Sequence, residues 1–185
     1  MSKRSLLQEL VKRCTACDFI DKPFLKYKVY DRWLPDITKL LIVVESPPPG
    51  RKETFFYNLD RWDRLRSNLS KILGIGNGGI ELLIWLKERG AFLTDAIKCR
   101  PPSKAQIPRM YRLCSRILAK EIETLHPQAL LLMGTTAKRT LRLALDEIDW
   151  LPTTIMELPH PNHVIRFRRD LIPKIRETLI HLLKP

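Results

Sequence analysis

Five apolar residues in a row, Leu40-Leu-Ile-Val-Val44, run into Glu45-Ser-Pro-Pro-Pro-Gly50, and this junction constrains the fold more than any other feature. The run from Lys39 to Val44 reads as a buried strand. Three prolines cannot continue a hydrogen-bonded ladder, so the strand stops there and gives way to a shaped loop at its C-terminal end. Further strands are expected over Ala91–Ile97, Ala129–Met133 and Thr153–Leu158. Helical spacing is expected around Leu6–Val11 running into Cys14, and over Arg61–Leu73, Glu81–Glu88, Arg109–Leu125, Thr136–Leu145 and Leu171–Leu183. The stretch Asp18–Asp36, with Pro23 and Pro35, reads as irregular. Strands alternating with helices point to a three-layer α/β/α fold with a central, mostly parallel four-stranded sheet. With 185 residues, one domain over 1–185 is expected. Sites in such sheets collect beyond the strands' C-terminal ends. The segments to inspect are therefore Glu45–Asn58, Asp95–Pro102, Gly134–Thr136 and Pro159–Arg169.

Charge narrows the partner. Lys and Arg number 33 against 20 Asp and Glu, a net charge of +13, which favours a polyanion and nucleic acid in particular. The basic residues are spread along the chain, and no expected helix sets a purely basic face against an apolar one, so a lipid surface is disfavoured. The longest apolar run falls far short of the roughly 18 residues of a membrane span, and the first ten residues make a poor secretory signal. A soluble, cytoplasmic, monomeric protein with no membrane partner is expected.

Gly74-Ile-Gly-Asn-Gly-Gly79 satisfies the dinucleotide pattern G-x-G-x-x-G, but a helix precedes it where the pyrophosphate-binding turn needs a strand. It reads as a helix-to-helix turn, without a nicotinamide or flavin cofactor.

Four cysteines occur as Cys14-Thr-Ala-Cys17, Cys99 and Cys114. In a cytoplasmic chain they do not suggest a disulfide framework. A C-x-x-C pair with two further thiols suits an iron–sulfur cluster or a structural zinc, and spacing alone leaves both open.

The segment Thr94-Asp-Ala-Ile-Lys-Cys-Arg-Pro-Pro102, with Cys114 downstream and Leu125-His-Pro-Gln-Ala-Leu-Leu-Leu-Met-Gly-Thr-Thr-Ala137 beyond it, resembles the iron–sulfur, family 4-like branch of the uracil-DNA glycosylase superfamily, where the pattern reads Thr-Asn-x-x-Lys-Cys-Arg-Pro-Pro. The resemblance runs from Cys14 to the end of the chain. It implies a 4Fe–4S cluster on Cys14, Cys17, Cys99 and Cys114, structural in role, and a monofunctional enzyme that excises uracil or a related damaged base from DNA and leaves an abasic site.

Such an enzyme must take a base out of the stack and stabilise both the departing base anion and the cationic sugar. Glu45-Ser-Pro-Pro-Pro-Gly50 resembles the family's Gly-Glu-Ala-Pro-Gly motif, which assigns Glu45 to positioning the attacking water, with Ser46 and Pro47 beside the base; Val44 and Pro48 stand where the family usually has glycine. In Phe55-Phe-Tyr-Asn58, Phe56 or Tyr57 falls nearest the family's stacking aromatic, with Phe56 preferred. Pro159-His-Pro-Asn-His-Val-Ile-Arg166 resembles the motif His-Pro-x-x-x-x-Arg. His160 would then donate to the base carbonyl, the following loop with Asn162 and His163 would enter the minor groove, and Arg166, Arg168 and Arg169 would meet phosphates. The largest departure is Asp95, where the uracil-specific pattern has Asn. An ionised carboxylate only accepts, so uracil's O4 would lack its donor unless Asp95 is protonated or a water intervenes. Two other readings stand beside this one: a noncatalytic lesion- or single-strand-DNA-binding module on the same scaffold, and a nucleic-acid protein whose thiols hold zinc.

Overall fold

A computed structural model describes residues 2–18 and 21–184. The chain orders as helices α1 (Lys3–Arg13), α2 (Pro23–Lys26) and α3 (Val29–Trp33), strand β1 (Leu40–Val44), helices α4 (Arg64–Leu73) and α5 (Ile80–Glu88), strand β2 (Ala91–Asp95), helix α6 (Ile107–Leu125), strand β3 (Ala129–Met133), helix α7 (Thr135–Ala144), strand β4 (Thr154–Leu158), and helices α8 (Pro161–Phe167) and α9 (Ile172–Leu182).

All four strands run parallel in the order β2-β1-β3-β4. β1, β2 and β3 are buried at every position, which is why they read as near-continuous apolar runs, whereas the edge strand β4 is only partly covered. One helix group joins α4 to α8 and α9, and another joins α1 to α3 and α6 and α6 to α7. The result is the expected three-layer α/β/α arrangement. No described helix is long and apolar enough to cross a membrane.

Two expectations need correction. Of the stretch 18–36 read as irregular, residues 19 and 20 lie outside the described residues, while 23–26 and 29–33 are helical. These helices are too short to show a period, and they form because Phe24, Val29, Tyr30 and Trp33 are buried in the core. The segment after His160, expected as a loop, is α8. His160 caps it and Pro161 opens it, a position where a missing N–H costs nothing.

Register sets up the site. Val44 pairs with Asp95, and Met133 pairs with Leu158. Glu45, Asp95, Gly134 and His160 therefore lie at or just past the ends of four adjacent strands, along one edge of the sheet.

Candidate active site

At that edge a cavity of about 590 Å³ is lined by Glu45, Phe56, Asp95, Gly134, Thr136, His160 and Asn162, among others. A hollow of about 670 Å³ lies elsewhere, but its walls come from β4, α9 and Lys184 just past α9, and its strand residue, Met156, is mid-strand. Polar groups from several strand ends meet only in the first of these two.

Glu45 is the first residue beyond β1 and is half-buried. Thr136, in the first turn of α7, donates its hydroxyl to the Glu45 carboxylate at 2.5 Å. This bond fixes the acid's direction, and Thr136 was not singled out from sequence. The Gly134-Thr-Thr run at a strand end was the available signal.

His160 faces the same space. Its Nδ1 accepts the backbone N–H of Asn162 at 3.2 Å, so the neutral ring carries its proton on Nε2, free to donate elsewhere. Burial holds the imidazole below its ordinary pKa, with Glu45 opposing and His163 adding to the shift. The ring packs close to Gly134, where φ is +96° and an added Cβ would come within 3.3 Å of the His160 Cβ. Glycine is required there. Asn162 lines the cavity while its Oδ1 accepts from Asn68 Nδ2 at 2.8 Å, tying α8 to α4.

Asp95 is 3% exposed and makes no side-chain hydrogen bond among the described residues. Burial pushes its carboxyl up to about 8, with Lys98 opposing and Asp63, Glu121 and Glu45 adding to the rise. Lys98 is already committed. It pairs with the fully buried Glu121 at 2.5 Å and also donates to Thr94, while Tyr30 donates to Glu121 at 2.9 Å. At neutral pH the Asp95 carboxyl is thus mainly protonated, and a protonated carboxyl both donates and accepts, as an amide does.

Phe56 lines the cavity wall, whereas Tyr57 does not: its hydroxyl donates to the Leu93 carbonyl at 2.6 Å, and its ring packs against Trp33 and Phe92. Ser46 lines the cavity. Pro47 is buried beside it and is not part of the lining. His163, Arg166, Arg168 and Arg169 are exposed on and after α8, and Arg168 is paired with Asp170 at 3.0 Å.

The segment after β2 braces the site. Arg100 donates to the carbonyls of Pro48 and Thr54 at 2.7 and 3.2 Å and pairs with Asp21 at 2.6 Å. The Gly50 N–H donates to the Pro101 carbonyl at 2.8 Å. Lys98, Arg100 and Pro101 thus hold the strand and loop that carry Asp95 and Glu45.

Cys99 sits inside this brace. It packs with Cys114 of α6, with Cys17 against them, in a corner closed by Ile97, Ile107, Met110 and Tyr111. All four cysteines are free thiols. Burial pushes Cys99 up to about 12, and Cys17, Cys114 and Cys14 add to the rise; Cys114 is pushed to about 11, chiefly by burial. Among the described residues no three Cys, His, Asp or Glu side chains converge tightly enough to make a formed metal site. As a donor set, four thiols from three segments, two of them buried among apolar side chains and all mutually repulsive as anions, suit a cationic metal centre.

The profile of the uracil DNA glycosylase superfamily matches residues 34–184 of this chain. The chain is also 25% identical over 181 residues to a Type-4 uracil-DNA glycosylase of Thermotoga maritima, a match covering 92% of this chain and 87% of that protein.

Proposed function

The chain belongs to the uracil DNA glycosylase superfamily and is a DNA glycosylase, and we propose that it extrudes uracil, or a closely related deaminated base, hydrolyses its N-glycosidic bond and leaves an abasic site. The observation that carries this reading is the convergence of Glu45, Phe56, Asp95 and His160 in one cavity at the strand ends.

The chemistry follows from the groups. The extruded base lies against Phe56, which replaces part of the stacking lost in the duplex or strand. Asp95, protonated, donates to O4 and accepts from N3–H, the pair of contacts that uracil's edge requires. As the C1′–N1 bond breaks, its electron pair passes to the base. The negative charge that develops on the base carbonyl is met by the His160 Nε2–H, which is ready in the neutral ring and needs no proton taken up from solvent. Glu45 offsets positive charge on the sugar and holds the water whose oxygen bonds to C1′; the carboxylate takes that water's proton and returns it to solvent, from which the released base anion takes up one proton. Lys98 is tied to Glu121 and Thr94 and is not the nucleophile; in this reading water attacks C1′, which leaves the DNA strand uncut. His163, Arg166 and Arg169, with a chain of net charge +13, favour DNA as the partner, and the repair of DNA fits a cytoplasmic monomer.

Cys14, Cys17, Cys99 and Cys114 would hold a 4Fe–4S cluster, in keeping with their thiol character, the packing of Cys17, Cys99 and Cys114 in one corner and the electrostatic influence of Cys14 on Cys99. Its role there is structural: it would fix the Cys99 loop and, through Arg100 and Pro101, the loop of Glu45.

The test is release of free base from oligonucleotides carrying uracil, hypoxanthine, a thymine mismatch or a modified cytosine, in single and double strands. Release of uracil with an intact abasic strand is expected. Binding without release of any base would instead favour a noncatalytic lesion-binding module.

A further inference from the structure

Trp62 lines the mouth of the catalytic cavity and is 63% exposed. The backbone on either side of it is pinned. Arg66, itself buried, donates from Nη2 to the Arg61 carbonyl at 2.7 Å and from Nη1 to the carbonyls of Phe56 and Asn58 at 2.7 and 3.0 Å. Its Nε donates to the Gly78 carbonyl. Asp63, the next residue along, caps α4 by accepting the Arg66 N–H at 2.8 Å. One guanidinium thus fastens the turn before Trp62 to the glycine-rich turn, and the indole is held out into solvent from a rigid base.

Its surroundings carry charge. Lys52, Arg64 and Lys104 line the same cavity and make no ion pair among the described residues, unlike Arg61, Lys138 and Arg168, which do. Another exposed aromatic, Phe167 at 61%, is not part of the cavity, and its ring already meets His163 at 5.2 Å and the Arg166 guanidinium at 4.9 Å.

We propose that Trp62 is a stacking platform for the base next to the extruded nucleotide on the damaged strand, with Lys52, Arg64 and Lys104 taking the flanking phosphates. This rests on the reading that the cavity receives an extruded base. Extrusion exposes the faces of the neighbouring bases to water, and an indole carried on a pinned backbone, with only two side-chain torsions to lose, replaces one of those contacts. Every base has a π-face, so the contact is indifferent to the identity of that neighbour. Cations lining the same cavity bind the backbone and add salt dependence without adding sequence preference.

The test uses the full chain and a single-stranded oligonucleotide carrying a tetrahydrofuran abasic analogue with 2-aminopurine on its 5′ or 3′ side. The parent should quench the 2-aminopurine on one side. Trp62→Ala should bind roughly tenfold or more weakly and lose the quenching, and Trp62→Phe should keep most of both. Melting temperatures should match the parent's, since the ring is largely in solvent. A parent that releases base and prefers the analogue over undamaged strand, with Trp62→Ala equal to it in affinity and quenching, would overturn the platform alone. A parent that does neither would overturn the glycosylase reading, and the platform with it.

Discussion

The Thr136 hydroxyl, at the start of α7, donates to the Glu45 carboxylate beyond β1 at 2.5 Å, so the direction of the acid is set by a residue 91 positions away. Thr136→Val keeps the side chain's shape and removes the donor. Single-turnover excision should fall roughly tenfold, in line with the loss of one hydrogen bond to a charged group, while the melting temperature stays near the parent's. Equal rates in the two proteins would mean that Glu45 is held by something else.

In the proposed reading, Asp95 links base recognition to pH. Its folded pKa, about 8, lies above the unfolded value near 3.9, so the folded state holds the proton more tightly. That stabilisation is complete below about pH 3.9 and is lost as pH rises to about 8. Asp95→Asn cannot ionise, so it should gain stability relative to the parent between pH 5 and pH 9, measured by urea unfolding. Its uracil excision should persist above pH 8, where the parent's falls, and in that range, where the parent's carboxyl is ionised, its preference among bases should shift toward uracil. A variant that lost activity on all bases equally would make Asp95 a catalytic carboxylate and displace Glu45 from water positioning.

Arg66 binds backbone carbonyls on both sides of the aromatic turn. Arg66→Ala leaves several buried acceptors without donors and should cost about 3 kcal/mol of stability, read by chemical denaturation. A loss below about 1 kcal/mol would show that water replaces the guanidinium without cost.

Cys99→Ala tests the thiol corner. The parent, purified without oxygen, should be brown with about four irons per chain, and the variant should lose iron and melt at lower temperature. Its excision rate per folded molecule should fall less than that of a His160 variant. Colourless parent protein holding one zinc would assign the corner to a structural zinc site instead.

The strands were legible because three of them are buried on both faces and so read as short apolar runs between turn signals. The helices α2 and α3 left no period, being four and five residues long, and are held by tertiary burial of Phe24, Tyr30 and Trp33. α8 was hidden because Pro161 reads as a break when it is in fact the helix's first residue. That Glu45, Asp95 and His160 line one cavity could be expected from sequence, since each stands at a strand end within a motif. Thr136 stands in such a segment too, but its bond to Glu45 joins residues distant in sequence, and the exposure that brings Trp62 into the proposal is encoded by no residue pattern. The glycine-rich run was read rightly as a turn, and the structure adds its packing reason, since a Cβ on Gly78 would lie 2.7 Å from the Ser67 Cα.

The most direct measurement is the single-turnover rate of uracil release from a uracil-containing oligonucleotide at saturating enzyme, parent against His160→Ala. The account expects release by the parent, with the abasic strand left whole, and a rate at least roughly a hundredfold slower in the variant, as loss of one preorganised donor brings. Uracil release at the same rate by both proteins would contradict it.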